Sequence, residues 1–272
     1  MSKQNTFLGK EKILRILSKP EAKVHFVGVG GAGMSSLFCL TRHFGIMASG
    51  SDAKVGDFIN SALAMGEEVY VGERADIARM ADIVVYTLAV GDDNKEVAAA
   101  EEQGIPLVSR ADYMSALAAC YAKTVAVSGS HGKSTVTAML YSILKEDLRE
   151  PTVVCGAEFL TATQRIQRVG IGSLDYLVYE SCEYKDSFLD FFPTVSVALN
   201  LEYDHADYFS SIDSLKQSFS SALSRASRTA IVNIDDGNLE DIISTVKSNC
   251  ITFGRGERAD YVYRIQSFCE RG

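Results

Sequence analysis

The 272-residue sequence predicts an α/β protein with two mainly parallel sheets in succession. Three observations predict it. Apolar runs of strand length alternate with helix-patterned segments, two glycine-rich loops each follow such a run and open a helix, and the strand–helix pattern restarts near residue 122. Hydrophobic residues make up 47% and charged residues 23%, an ordinary globular balance in a chain long enough for one large or two ordinary cores.

The elements follow in order. Lys23–Val27 (KVHFV) reads as a strand and 31–42 as the helix after it; 47–51 is a second short strand. Residues 82–87 (DIVVYT) form another strand, 96–103 a helix, and 106–108 a further short strand. The second unit opens with a strand at 124–128 (TVAVS), a glycine-rich loop and a helix at 136–145. Tyr176–Glu180 (YLVYE), 195–199 (VSVAL) and 230–233 (AIVN) supply later strands. The expected division is therefore 1–121 and 122–272, with no internal repeat and no low-complexity stretch.

Gly28-Val29-Gly30-Gly31-Ala32-Gly33 matches G-x-G-x-x-G between a strand and a helix. Without side chains the backbone turns tightly and can approach a diphosphate seated on the helix N-terminus. Asp52 closes the next strand, where a carboxylate can bond a ribose hydroxyl. By itself this pattern also fits an NAD-dependent oxidoreductase, or glycines that serve only helix–strand packing.

Gly129-Ser130-His131-Gly132-Lys133-Ser134-Thr135 is the second loop. Its backbone N–H groups can cradle phosphates, Lys133 can reach the β- and γ-phosphates, and the Ser134 hydroxyl can ligate Mg²⁺. Val127 stands where the strict G-x-x-x-x-G-K-[ST] pattern needs glycine, so the loop is a variant. Together the motifs predict a Rossmann-like N-terminal domain followed by a P-loop-type α/β ATPase domain. An oxidoreductase has no use for the second loop; an enzyme joining an activated group to a nucleotide-linked substrate needs both.

The net charge of −8 leaves no excess of Lys and Arg for nucleic acid. No apolar run is long enough to span a bilayer, and the charged N-terminus lacks a signal-peptide core, so a cytoplasmic enzyme is expected. The six cysteines (Cys39, Cys120, Cys155, Cys182, Cys250, Cys269) have no zinc spacing and read as reduced core thiols. His25 and His43 read as structural, and Tyr208–Phe209 and the phenylalanines of 188–192 as core.

The loop G-S-H-G-K-S-T at 129–135 resembles that of the Mur ligase family, usually G-T-H-G-K-T-T, which accounts for Val127. VGVGGAGMS at 27–35, SGSD at 49–52, Asp93-Asn94 with Glu96, and IPLVSRAD at 105–112 resemble the family's UDP-binding portion. NLEYDH at 200–205 is similar to its N-x-E-x-D-H, and VNIDD at 232–236 to its V-N-x-D-D. The resemblance runs from residue 23 to 263. It departs at 180–188, where E-A-D-E-S-D-x-S-F reads Glu180-Ser181-Cys182-Glu183-Tyr184-Lys185-Asp186-Ser187-Phe188, and at Gly72-Glu73, where the family has Gly-His.

The resemblance implies ATP-dependent ligation of L-alanine to UDP-N-acetylmuramate through an acyl phosphate, with Mg²⁺, in peptidoglycan precursor synthesis. A branch that recycles murein tripeptide onto the same nucleotide shares the N-terminal pattern, and a non-catalytic nucleotide-binding module remains an alternative. Implied substrate-binding residues are Gly28, Gly30, Gly31, Ala32, Gly33, Met34, Ser35, Asp52, Asn94 and Arg110; the 129–135 loop binds ATP. Lys133, Glu180 and His205 are the implied catalytic residues, with Ser134, Glu180 and His205 toward metal. Glu183 fits either a surface position or a supporting one. The chain ends at Gly272, before the family's adenine-binding stretch and third domain, so the chain alone is expected to be inactive. The oligomeric state is left open.

Overall fold

The computed structural model describes residues 8–87, 90–91, 93–160 and 166–266. The first sheet holds β1 (Lys23–Val27), β2 (Met47–Asp52), β3 (Val69–Val71), β4 (Ile83–Tyr86) and β5 (Leu107–Ser109). Around it lie α1 (Lys10–Leu17), α2 (Ala32–His43), α3 (Asp57–Ala64), α4 (Ala75–Ala78), α5 (Lys95–Gln103) and α6 (Arg110–Ala118). The strand order is β3-β2-β1-β4-β5, all parallel. β1 and β4 are covered on both faces, which is why their sequences run apolar without alternation.

The second sheet is formed by β6 (Lys123–Ser128), β7 (Thr152–Leu160), β8 (Ile166–Gly170), β9 (Tyr176–Glu180), β10 (Val195–Ala198), β11 (Thr229–Asn233), β12 (Asn249–Gly254) and β13 (Tyr261–Val262). Its order is β13-β12-β11-β10-β6-β9-β7-β8, parallel except for the β7–β8 pair. Its helices are α7 (Lys133–Glu146), α8 (Ile212–Leu223) and α9 (Gly237–Ile242), with a 3₁₀ segment at Tyr184–Asp190. In each sheet the chain leaves a central strand, β1 or β6, and later returns to build on its other side. That reversal opens a crevice at the strands' carboxyl ends, and a glycine loop lies in each.

Several expectations shift. The fifth strand starts at Leu107 because Pro106 has no N–H; only its carbonyl joins the ladder, accepting from Val84 N at 3.0 Å. Helix α7 starts at Lys133, three residues before the apolar pattern begins, because Gly132 (φ 82°) turns the chain directly into it. Antiparallel β7–β8 lacked a turn signal in the sequence.

The cysteines are mostly not core: Cys155 is buried, but Cys120 is exposed and Cys39, Cys182 and Cys250 are half-buried; Cys269 lies outside the described residues. Phe188, Phe191 and Phe209 are core as expected, whereas Phe192 and Tyr208 are exposed. The principal apolar cluster also crosses between the sheets. It joins Ile13, Phe26, Tyr113 and Leu117 to Ala126 on β6, Leu177 and Tyr179 on β9, and Phe191.

Candidate active site

The loop after β1 is held by its own domain. Gly28 and Val29 N–H groups donate to the Ser51 carbonyl at 2.8 and 2.9 Å, and Gly30 N–H donates to Asp52 Oδ2 at 2.9 Å. Asp52 Oδ1 accepts from Lys54 N–H. The expected ribose carboxylate is therefore also the loop's fastener. Helix α2 begins with no side-chain cap, leaving its first N–H groups directed at the crevice. Arg110, the first residue of α6, packs its guanidinium over Gly33, where an added Cβ would come within 3.0 Å.

Asn94 caps α5, accepting from Glu96 and Val97 N–H at 3.0 and 2.9 Å. Its amide donates to Glu73 Oε1 at 3.2 Å, so the Glu that replaces the family's His braces this cap. Beneath lies a buried network. His25 bonds Ser49 Oγ at 2.8 Å and Glu96 Oε1 at 2.9 Å, and Ser51 Oγ and Arg74 N–H also donate to Glu96. Burial pushes the Glu96 carboxyl up, but the hydrogen bonds from His25, Ser51 and Arg74 together outweigh it and hold the group below the usual range. His25 is structural, as expected, through this network.

A cavity of about 770 Å³ joins the two sheets. On one side it meets Gly28, Gly31, Ala32, Gly33, Met34, Asp52, Asn94 and Arg110; on the other, Cys155, Gly156, Glu180 and Cys182. Two predicted residues are set back from it. Gly30 has its N–H taken by Asp52, and Ser35 is buried with its hydroxyl on the Ala32 carbonyl. Met34 lines the cavity although it is almost wholly buried in the core.

The loop after β6 is held from other elements. His131 N–H donates to Asn200 Oδ1 at 2.8 Å, and Asn200 Nδ2 returns a bond to the His131 carbonyl at 3.0 Å. Ser130 Oγ accepts from Glu202 N–H at 2.8 Å. His131 thus supports the loop through its backbone, while its imidazole is exposed near Glu202. Gly129 has φ 142°, and a Cβ there would meet Leu199 Cβ at 3.1 Å and the Asn200 backbone at 3.3 Å, so the position requires glycine. With no side-chain cap on α7, the N–H groups of Lys133, Ser134 and Thr135 face the loop, an anion cradle. Lys133 Nζ donates to the Gly129 carbonyl at 2.5 Å and lies 3.4 Å from both oxygens of Glu183.

Glu180, at the end of β9, pairs in register with Val127 of β6 and so stands beside the phosphate loop. Its Oε1 accepts from Gly156 N–H at 2.6 Å and from Cys155 Sγ at 3.1 Å, and Cys155 Sγ also lies 3.6 Å from the Ser134 carbonyl. Burial, with Glu180 adding to it, pushes the Cys155 thiol up to about 11, so it stays a thiol. Cys155, Gly156 and Asn200 belong to the site without having been singled out. Asn200 was legible in NLEYDH; nothing in VVCG flagged the other two.

His205 (φ 56°) is placed with a different set. Its Nε2 is 3.8 Å from Glu183 Oε1, and its ring lies tilted by 42° against that of Tyr184, with centres 4.6 Å apart. The structure thus links Ser134 to Glu180 through Cys155, and His205 to Lys133 through Glu183. No group of three or more His, Cys, Asp or Glu poised for a metal ion occurs among the described residues. Mg²⁺ needs no such cluster, since one or two protein oxygens plus substrate phosphates hold it, and Ser134 with Glu180 offers that kind of donor set.

Two mainly parallel sheets with a glycine loop at each reversal, and a cavity spanning them, define a two-domain α/β architecture with two candidate phosphate-binding loops. The chain belongs to the Mur ligase family: the model of the Mur ligase family catalytic domain matches residues 23–122, and that of the Mur ligase middle domain matches 127–270. UDP-N-acetylmuramate–L-alanine ligase of Caldanaerobacter subterraneus subsp. tengcongensis is 36% identical over 252 residues, 92% of this chain and 54% of that protein. The enzyme of the same name from Clostridium botulinum strain Alaska E43 is 36% identical over 254 residues, 93% of this chain and 54% of its own.

Among solved structures, UDP-N-acetylmuramate–alanine ligase from Thermotoga maritima superposes with a TM-score of 0.75 at 27% identity, covering 85% of this chain and 52% of that one. The UDP-N-acetylmuramate:L-alanyl-gamma-D-glutamyl-meso-diaminopimelate ligase from Neisseria meningitides shares the fold at a TM-score of 0.75 and 22% identity, covering 86% and 78%. The chain spans about half the length of the curated relatives it matches.

Proposed function

We propose that this chain supplies the UDP-sugar and ATP sites of a ligase that joins L-alanine to UDP-N-acetylmuramate. The observation that carries the reading is the cavity running from the 28–33 loop and Arg110 to Glu180, which stands beside the phosphate loop. A substrate with its diphosphate on α2 would have its sugar directed at Glu180, and the names of the curated relatives favour alanine as the acceptor. The division at 121/122 separates the two binding tasks. A cytoplasmic location goes with this reading; among the described residues no helix is long and apolar enough to cross a membrane.

A carboxylate is a poor electrophile, so the substrate carboxylate attacks the γ-phosphate of ATP, the β–γ bridging P–O bond breaks and ADP leaves; the alanine amine then attacks the acyl phosphate, and phosphate and a proton leave as the amide forms. The first step brings two anions together, and positive charge must already be in place. Lys133 and the uncapped N–H groups of α7 supply it at the phosphates; Arg110 and the start of α2 hold the sugar nucleotide. Bound Mg²⁺, held by Ser134 and Glu180, would neutralise phosphate charge; His205 meets the phosphate loop through Glu183 and Lys133.

Ligand-dependent thermal unfolding of this chain tests the reading. UDP-N-acetylmuramate at about 100 times its Kd is expected to stabilise by roughly 2.7 kcal/mol, with NAD giving no shift. Stabilisation by NAD with no response to UDP-N-acetylmuramate would overturn it.

A further inference from the structure

We propose that Glu183 is a positioning residue of the phosphate loop, a buried carboxylate that aims the Lys133 ammonium at the incoming phosphates. The proposal rests on the reading of 129–135 as an ATP-phosphate loop. Glu183 is 3% exposed although charged, and it lies three residues beyond Glu180 in the irregular stretch after β9. The chain turns it inward through two non-glycine residues in the left-handed region, Lys185 (φ 53°) and Asp186 (φ 57°). That turn is fastened from α8 and the 205–209 segment: Asp186 accepts from Tyr208 Oη at 2.7 Å and from the Ser218 hydroxyl. A carboxylate held this firmly out of water needs a partner, and its partners are Lys133 and, at 3.8 Å, His205.

Counting donors shows what this does. Lysine has three N–H groups. Among the described residues, the ammonium's partners are the Gly129 carbonyl at 2.5 Å and the Glu183 carboxylate, both of whose oxygens lie 3.4 Å away. One carbonyl and one carboxylate confine the ammonium's position and leave it donor capacity for a phosphate. An unheld lysine would lose side-chain freedom each time it met a phosphate; here that cost is met in folding. Coulomb's law alone argues the opposite way. A carboxylate beside a phosphate site repels the ligand, so neutralising it should tighten binding of any phosphate. Positioning and simple charge therefore predict opposite signs.

The experiment is calorimetric titration of the 272-residue chain with tripolyphosphate and with pyrophosphate, each with Mg²⁺, so that adenine contacts play no part. Glu183→Gln is expected to weaken tripolyphosphate about tenfold and pyrophosphate less than threefold. The double variant Glu183→Gln/Lys133→Gln is expected to bind no more weakly than Lys133→Gln alone, because the two act as one unit. Tighter binding of both ligands, additive losses, or unchanged affinities with only a lower Tm would each overturn the proposal. If Glu183→Gln does not fold, Glu183→Asp, which keeps the charge but withdraws it by one methylene, is read by the same criteria. A wild-type chain that binds neither phosphate would instead reject the nucleotide-loop reading itself.

Discussion

The two glycine loops occupy equivalent places, each after the central strand of a parallel sheet, but they are secured in opposite ways. The 28–33 loop is tied down by the neighbouring strand of its own sheet, through the Ser51 carbonyl and Asp52. The 129–135 loop is tied to segments fifty or more residues further on, Asn200, Glu202 and Glu183. The first is a finished platform that depends on little else. The second is mechanically joined to the stretch that carries His205 and to the strand end that carries Glu180. A loop that only seats a ligand can be self-contained; one whose ligand other groups must also reach has to keep register with those groups.

The largest expected effect comes from placing the same methyl group in both loops. Gly129→Ala meets Leu199 and the Asn200 backbone at a φ that only glycine adopts readily, and should cost about 3 kcal/mol and abolish phosphate binding. Gly31→Ala has the Gly28 carbonyl at 3.6 Å as its nearest contact and should cost less than about 1 kcal/mol. Equal losses in melting experiments would break the contrast between the loops.

A second test probes the footing of the first loop. Glu96→Gln removes the anion that His25, Ser51 and Arg74 share, and Ser51 in turn anchors the loop, so about 2 kcal/mol of stability should go. The sign with pH follows from a folded pKa held below the unfolded value of about 4.3. The contribution is complete above that value and is lost as pH falls through the folded pKa. The gap in Tm between wild type and variant should therefore be constant near neutrality and close below about pH 4. A gap that persists undiminished into acid would remove the charge from the explanation.

How much of this the sequence disclosed depended on whether the signal was local. Strand, glycine loop and helix are neighbours in sequence, so both loops and the central strands were legible in VGVGGAG and SGSHGKST. Glu180 was legible because it ends an apolar run. Glu183 was undecided because its burial depends on a left-handed turn at Lys185-Asp186, and neither residue advertises one. The Cys155–Gly156 contact to Glu180 is a pairing across 25 and 24 residues with no motif to mark it. Asp52 and Asn94 carry motif positions of ligand groups, and their parallel work as loop fastener and helix cap depends on the folded loop and helix.

The smallest effect is expected at Asp190, where the two sheets meet, outside both loops but in a second cavity that Arg110 also lines. Asp190 ends the 3₁₀ segment between β9 and β10, which packs against α6 of the first sheet. Its carbonyl accepts from Ser115 Oγ at 2.7 Å, and, two residues on, the Phe192 ring has Lys10 of α1 and Arg225 at 5.1 and 4.9 Å from its centre. Burial, reinforced by Asp112, pushes the Asp190 carboxyl up to about 6, against the pull of Arg225. A raised folded pKa means the group favours folding fully only below its unfolded value, near 3.9, and that contribution is lost as pH rises through about 6. Asp190→Asn removes the charged form, so it should be more stable than wild type at pH 7.5 by about 1 kcal/mol once solvent screening is allowed for. The gain should fade toward pH 4. Because the junction belongs to neither loop, affinities for the sugar nucleotide and for phosphate should stay within twofold. A change in either would show that the fixed angle between the sheets, and not only the loops, sets the site.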